Sequence, residues 1–219
     1  MDKINFFIKV ISRLQCSQPE NLELILEWIK KDQPITFFSW KMFNISNPAF
    51  DPIEADKFIA KEKEFLKSMI DLKIKFSYFK LVPDELPKIF YRRAYPVQAR
   101  KFSNQVKGYF TKVYPNTAVV RITQILNQNP QLNKTYDLVF SQSLKSDIDP
   151  VKFQKEIFLR QDRNIALKAF GLFAAETAVI VKYFKNPVLL AGQRSVDTYK
   201  YEFYKYPPNR PVLPKLFIL

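Results

Sequence analysis

Residues 164–187, NIALKAFGLFAAETAVIVKYFKNP, form the most apolar run of the chain and constrain its fold more than any other stretch. Ala166 to Phe184 spans nineteen residues, close to the roughly 20 that cross a bilayer. Between Lys168 and Lys182 there are thirteen, the length of an ordinary core helix, although both lysines can snorkel toward headgroups. Eight large apolar side chains favour insertion by about 2–5 kcal/mol together, while a charged Glu176 near the middle costs about 2.5–3.5 kcal/mol. The balance is close to zero. Such a helix is held either in the core of a helical bundle or in a membrane where protein neighbours cover Glu176.

The arrangement around the helix axis points to neighbours. Lys168, Gly171, Ala175, Ala178 and Lys182 recur at three- and four-residue spacing on one stripe. Gly171 and Ala175 form a small-x-x-x-small pair that lets another helix approach closely. Glu176 faces the bulkier side with Leu172, Phe173 and Ile180. The expectation is a helix-packing face at Gly171, Ala175 and Ala178, and a buried partner contact at Glu176.

Composition removes several chemistries. The chain has no histidine, one cysteine (Cys16) and three glycines among 219 residues. Imidazole-based nucleophile pairs, histidine-ligated metals and cysteine metal sites are therefore excluded. Glycine-rich phosphate loops cannot be written. Asp147 and Asp149 read as helix-start residues, not as a carboxylate pair. The expectation is a protein with no catalytic residue, cofactor or metal.

The net charge of +14 is uneven. Residues 1–51 carry six basic and six acidic side chains, residues 81–115 seven against two, and residues 150–185 seven against three. Basicity thus gathers in the middle and beside the apolar run, which suits anionic lipid or RNA. Arg92, Arg93, Arg100, Lys101, Lys168 and Lys182 are the candidate phosphate contacts.

Helical periodicity organises most of the chain. Ile4, Phe7, Ile8, Ile11 and Leu14 share one face of a basic amphipathic segment, either an uncleaved mitochondrial address or a first helix. There is no secretory signal. Ser17 and Glu20 form a capping box before Leu22, Ile25, Leu26 and Ile29. ITFFSW and its neighbours read as an aromatic loop. Asp51-Pro52 opens a helix whose apolar spacing continues to about Phe79, covered by alternating Lys and Glu. Pro83, Pro87 and Pro96 mark a connector, and a basic helix follows. TAVVRITQIL is ambiguous and read as helix. Asp149-Pro150 begins a long helix to Asn186, followed by a proline- and aromatic-rich tail.

FSYFKLVPDELP and KAFGLFAAETAV resemble, in order, two patches of the mitochondrial ATP synthase g subunit family: an aromatic run into L-V-P with a second proline, and a membrane helix opening on G-L and then A-E. The matching residues are Phe76, Tyr78, Phe79, Leu81, Val82, Pro83 and Pro87, then Gly171, Leu172, Ala175 and Glu176. The family's later G-x-x-x-G motif has no clear counterpart here. The resemblance implies a non-catalytic accessory subunit of the membrane sector, holding dimer contacts and shaping cristae, with cardiolipin at the basic residues beside the span.

The reading from sequence is a mainly α protein. Residues 1–148 form a basic, matrix-side helical region, residues 149–186 a long helix with a short transmembrane span at about 166–184, and residues 187–219 an extended tail. Its expected place is the mitochondrial inner membrane, its partners other ATP synthase subunits and anionic lipid. Two alternatives remain: a mitochondrial ribosomal protein binding rRNA through residues 88–112, and a soluble scaffold.

Overall fold

The computed structural model describes residues 3–12, 15–16, 19–40, 52–82, 84, 95–113, 117–145, 163–192 and 213–218. Within them six segments are strands: β1 (Gln15–Cys16), β2 (Ile35–Trp40), β3 (Phe76–Val82), β4 (Ala118–Arg121), β5 (Pro187–Gly192) and β6 (Lys215–Ile218), of which β2 and β3 are rich in aromatic and β-branched residues. They form one sheet in the order β1-β6-β5-β2-β3-β4. β2 through β6 run parallel to their neighbours, and β1 lies antiparallel to β6 at one edge.

Parallel neighbours need crossover connections, which place helices over the sheet. α1 (Lys3–Ile11) and α2 (Pro19–Lys30) precede β2; α3 (Pro52–Asp71) joins β2 to β3, and α4 (Tyr95–Val113) joins β3 to β4. α5 (Ile122–Gln128), α6 (Pro130–Leu144) and α7 (Arg163–Tyr183) fall between β4 and β5. Alternation along β2 separates two cores. Phe37 packs with Phe7, Ile25, Phe65 and Met69 beneath α1 to α3, and this face continues under α4 through Val82, Phe102, Val106 and Phe110. Phe38 packs with Ile122, Tyr136, Leu172 and Val179 beneath α5 to α7.

Three helices turn into strands through a non-glycine residue with positive φ: Asp32 (51°), Lys73 (54°) and Asn186 (48°). At the end of α3 the Ile74 amide donates to Met69 O (3.0 Å) and the Lys73 amide to Ile70 O (2.8 Å). The end of α2 repeats this pattern, with Gln33 N to Trp28 O (2.9 Å) and Asp32 N to Ile29 O (3.1 Å). Paired six-to-one and five-to-two bonds of this kind close a helix when the residue after it turns left-handed.

The mainly α expectation is corrected to an α/β sheet covered on both faces. ITFFSW is the central strand β2, not a loop, and its residues Ile35 to Ser39 are all buried. The helix expected to continue to Phe79 stops at Asp71, and Phe76–Val82 becomes β3. TAVVRITQIL divides into β4 and α5. The described parts of the expected tail are β5 and β6; residues 193–212, the caps at Ser17 and Asp51, and the helix start at Asp149 lie outside the described residues.

The transmembrane span at 166–184 is also corrected. No helix among the described residues is long and apolar enough to cross a membrane, which removes the basis for the inner-membrane assignment. Of residues 171–180 in α7 only Phe173 is even partly exposed. The helix is apolar nearly all round because the sheet covers one side and α6 the other.

Lys73 is a β-carbon residue held left-handed, a conformation that disfavours it by roughly 1–2 kcal/mol where glycine has no such penalty. Lys73→Gly is therefore expected to stabilise the fold by about 0.5–1 kcal/mol after the added freedom of the unfolded chain is subtracted, as checked by urea unfolding.

Candidate functional site at the carboxyl edge of the sheet

The connections define where a ligand fits. β2 reaches β3 by a helix on one face, and β4 reaches β5 by helices on the other. Strand order reverses between the neighbours β2 and β5: β2 leads to β3 on one side, and β5 pairs with β6 on the other. In open α/β sheets a ligand crevice lies at the carboxyl ends of such a switch point. Their pairing runs from Thr36↔Pro187 to Ser39↔Leu190, so Ser39 is the last residue of β2 paired with β5, at the carboxyl side of the switch point.

Around Ser39 the structure builds a closed polar network. Lys80 stands opposite Ser39 on β3. Its Nζ donates to Ser39 Oγ (2.5 Å) and to Glu62 Oε2 of α3 (2.5 Å). Tyr78 OH donates to Glu62 Oε1 (2.9 Å) and lies 3.0 Å from Ser39 Oγ. The Lys80 ammonium also sits 4.5 Å from the centre of the Phe110 ring on α4, a cation–π contact. Side-chain exposure is 3% for Lys80 and 0% for Glu62, so this ion pair is not a surface contact. It ties β2, β3, α3 and α4 together beside the crevice.

A second polar anchor lies at the same edge, one strand further out. Arg121 precedes α5 without capping it through its side chain. Asp84, just past β3, supplies the cap instead: Oδ1 accepts the Thr123 amide (3.0 Å) and Oδ2 accepts the Thr123 hydroxyl. A carboxylate at this helix start satisfies an amide with no intrahelical partner and complements the dipole.

The residues singled out from sequence occupy different places. Gly171 faces Phe140 of α6, where an added Cβ would come within 2.9 Å of the ring, and Ala175 and Ala178 are buried. Glu176 is wholly buried on α7. At about 1.5 Å rise per residue it lies about 10 Å back from Tyr183 along the helix. Lys168 and Lys182 are exposed, and Lys182 Nζ donates to Thr135 Oγ1 (3.1 Å). Lys101 is exposed on α4; Arg92 and Arg93, with the side chain of Arg100, lie outside the described residues. Among the described residues no cluster of His, Cys, Asp or Glu could hold a metal ion.

Sequence reasoning missed Lys80, Glu62, Ser39 and Tyr78. One signal was present: Glu62 falls between Phe58 and Phe65 at helical spacing, on the apolar face of α3. Lys80 was hidden because its segment was read with a helical period.

A doubly wound, mostly parallel sheet with a crevice at the switch point defines a Rossmann-like α/β protein. Solved structures with a similar fold include aminoacyl-tRNA synthetases. A tryptophanyl-tRNA synthetase homologue from Entamoeba histolytica aligns over 99% of this chain and 58% of its own, with 14% identity and a TM-score of 0.63. Tyrosyl-tRNA synthetase from Archaeoglobus fulgidus, solved with L-tyrosine, aligns over 98% and 63%, with 11% identity and a TM-score of 0.61. Tryptophanyl-tRNA synthetase from Giardia lamblia gives 99% and 61%, 11% identity and 0.58. The chain thus spans about three fifths of those synthetase chains, and at such identities the likeness is one of fold. No family model and no curated protein matches the chain.

These findings overturn the resemblance to ATP synthase subunit g and what it implied. Residues Phe76–Val82 of its first patch are strand β3, and its second patch lies within α7, which packs on the sheet. Apolar residues arise there because α7 is enclosed between the sheet and α6, and Gly171 of the small-residue stripe faces Phe140 of α6. The assignments to a membrane-sector accessory subunit in cristae, with ATP synthase subunits and cardiolipin as partners, do not stand, nor do the ribosomal and scaffold alternatives. The fold neighbours are ligases, so the expectation of a non-enzyme, drawn from the missing histidine, is corrected as well.

Removing one member of the buried pair isolates the other charge. Lys80→Met is expected to destabilise the fold by about 3–5 kcal/mol, whereas Lys80→Met with Glu62→Leu should return to within about 1–2 kcal/mol of the parent. Chemical denaturation of the single and double variants measures both.

Proposed function

We propose that this chain acts in aminoacylation, as a synthetase-type domain that takes an aromatic amino acid and ATP at the crevice between β2 and β5 and works on tRNA. The observation that carries this reading is the alignment of 98–99% of the chain with tryptophanyl- and tyrosyl-tRNA synthetases. Position supports it: ligands of open α/β sheets bind where the strand order reverses.

The composition is compatible with such chemistry. Activating an amino acid with ATP uses its carboxylate as nucleophile, and a carboxylate is already ionised at neutral pH. No imidazole is needed to remove a proton. Transfer at phosphorus depends mainly on positioning and on stabilising charge. The Lys80–Glu62 network contributes to the first of these by fixing β2 and β3 below the crevice.

The test is isotope exchange between labelled pyrophosphate and ATP, run with single amino acids, followed by charging of tRNA. Exchange that depends on tyrosine or tryptophan is the expected result. Absence of exchange with every amino acid, together with absence of tRNA charging, removes the proposal.

A further inference from the structure

α4 differs from the other long charged helix in one respect. α3 mixes Lys57, Lys61, Lys63 and Lys67 with Glu54, Asp56, Glu62, Glu64 and Asp71. α4 carries Arg100, Lys101, Lys107 and Lys112 and has no acidic residue anywhere along it. A solvated helix gains from pairing opposite charges one turn apart, and α4 forgoes that. Its inner side is committed to the core through Phe102, Val106 and Phe110. Its outer side exposes Lys101, Asn104, Lys107, Gly108, Thr111 and Lys112. Arg121 on the edge strand β4 adds a cation beside it and donates to Asn104 Oδ1 (2.9 Å).

Gly108 is the second, independent observation. Glycine is the poorest helix former after proline. Where a helical glycine is needed internally, a Cβ would strike something, as at Gly171 against Phe140. At Gly108 a Cβ would meet nothing within 4 Å. Nothing in the described fold uses its small size. At about 100° per residue, Gly108 lies within about 40° of both Lys101 and Lys112, in the middle of the basic face. A glycine there lets a ligand's backbone approach the helix between flanking ammonium groups.

We propose that the outer face of α4, with Lys101, Lys107, Lys112 and Arg121 around Gly108, docks the sugar-phosphate backbone of tRNA. The choice of tRNA rests on the aminoacylation reading; the polyanion chemistry rests on the helix. The lysines neutralise phosphates without reading bases, and the docked strand releases counterions.

The test uses the full chain and a fluorescent tyrosine or tryptophan tRNA transcript, with affinity measured across a salt series. Lys101→Ala, Lys107→Ala and Lys112→Ala combined should lower the log–log salt slope by about 2–3 and weaken binding about tenfold or more. Gly108→Ala should raise the melting temperature by about 2–4 °C and yet weaken tRNA binding about threefold or more, opposite signs that a purely structural role does not produce. An unchanged slope in the triple variant, or a stabilised Gly108→Ala protein with parental affinity, overturns the docking face. Binding of phosphatidylglycerol vesicles in place of tRNA overturns it too. Amino-acid-dependent exchange that persists while tRNA docking fails leaves the aminoacylation reading intact. Lysine-dependent tRNA binding without exchange upholds the docking face and removes that reading.

Discussion

A strand in the middle of a parallel sheet has no face to give to water. β2 is in that position, hydrogen-bonded to β3 on one side and β5 on the other, with helices above and below. Every other feature follows from covering it. Phe37 requires α1 to α3, Phe38 requires α5 to α7, and the strand order reverses between β2 and β5. The crevice is therefore a by-product of burial, placed by strand order before any functional residue is chosen.

Polar groups near that crevice are spent on holding it open at a fixed geometry. Lys80 and Glu62 sit where apolar residues would pack with less desolvation, and buried ion pairs of this kind are seldom the most stable choice. What they provide is direction. Lys80 has donors toward Ser39 and Glu62 and a ring face at Phe110, so β2, α3 and α4 each meet β3 in one register. Asp84 does the same for α5 through Thr123. These anchors leave the basic outer face of α4 fixed relative to the crevice at the sheet edge.

Parts of this were legible in the residues. Helix α7 stands where the apolar run lies, and the small residues at Gly171, Ala175 and Ala178 are buried. Its surroundings were not legible, because hydrophobicity on all sides fits both a sheet-covering helix and a lipid-facing one. Strands were lost for a different reason. Buried parallel strands show continuous apolar runs with no alternation, so ITFFSW carried no period to read. β3 was absorbed into α3 because Ile70 and Ile74 keep helical spacing across the boundary. The turn that separates them is made by Lys73, where glycine or asparagine would have marked it. Tyr78 and Lys80 depended on that boundary and Ser39 on the missed strand β2, and only Glu62 could have been found, from its place on the apolar face.

The strand order also sets a timetable. Thr36 pairs with Pro187, which leaves the ribosome about 150 residues later. At roughly 5–20 residues per second, synthesis of that interval takes on the order of 10–30 s. Throughout it β2 and β3 have an apolar edge with no partner strand, because β5 does not yet exist. Long-range parallel pairing is slow to form and exposed to aggregation while it waits. A cell making this protein must shield the edge of its central strand for longer than most local structure takes to fold.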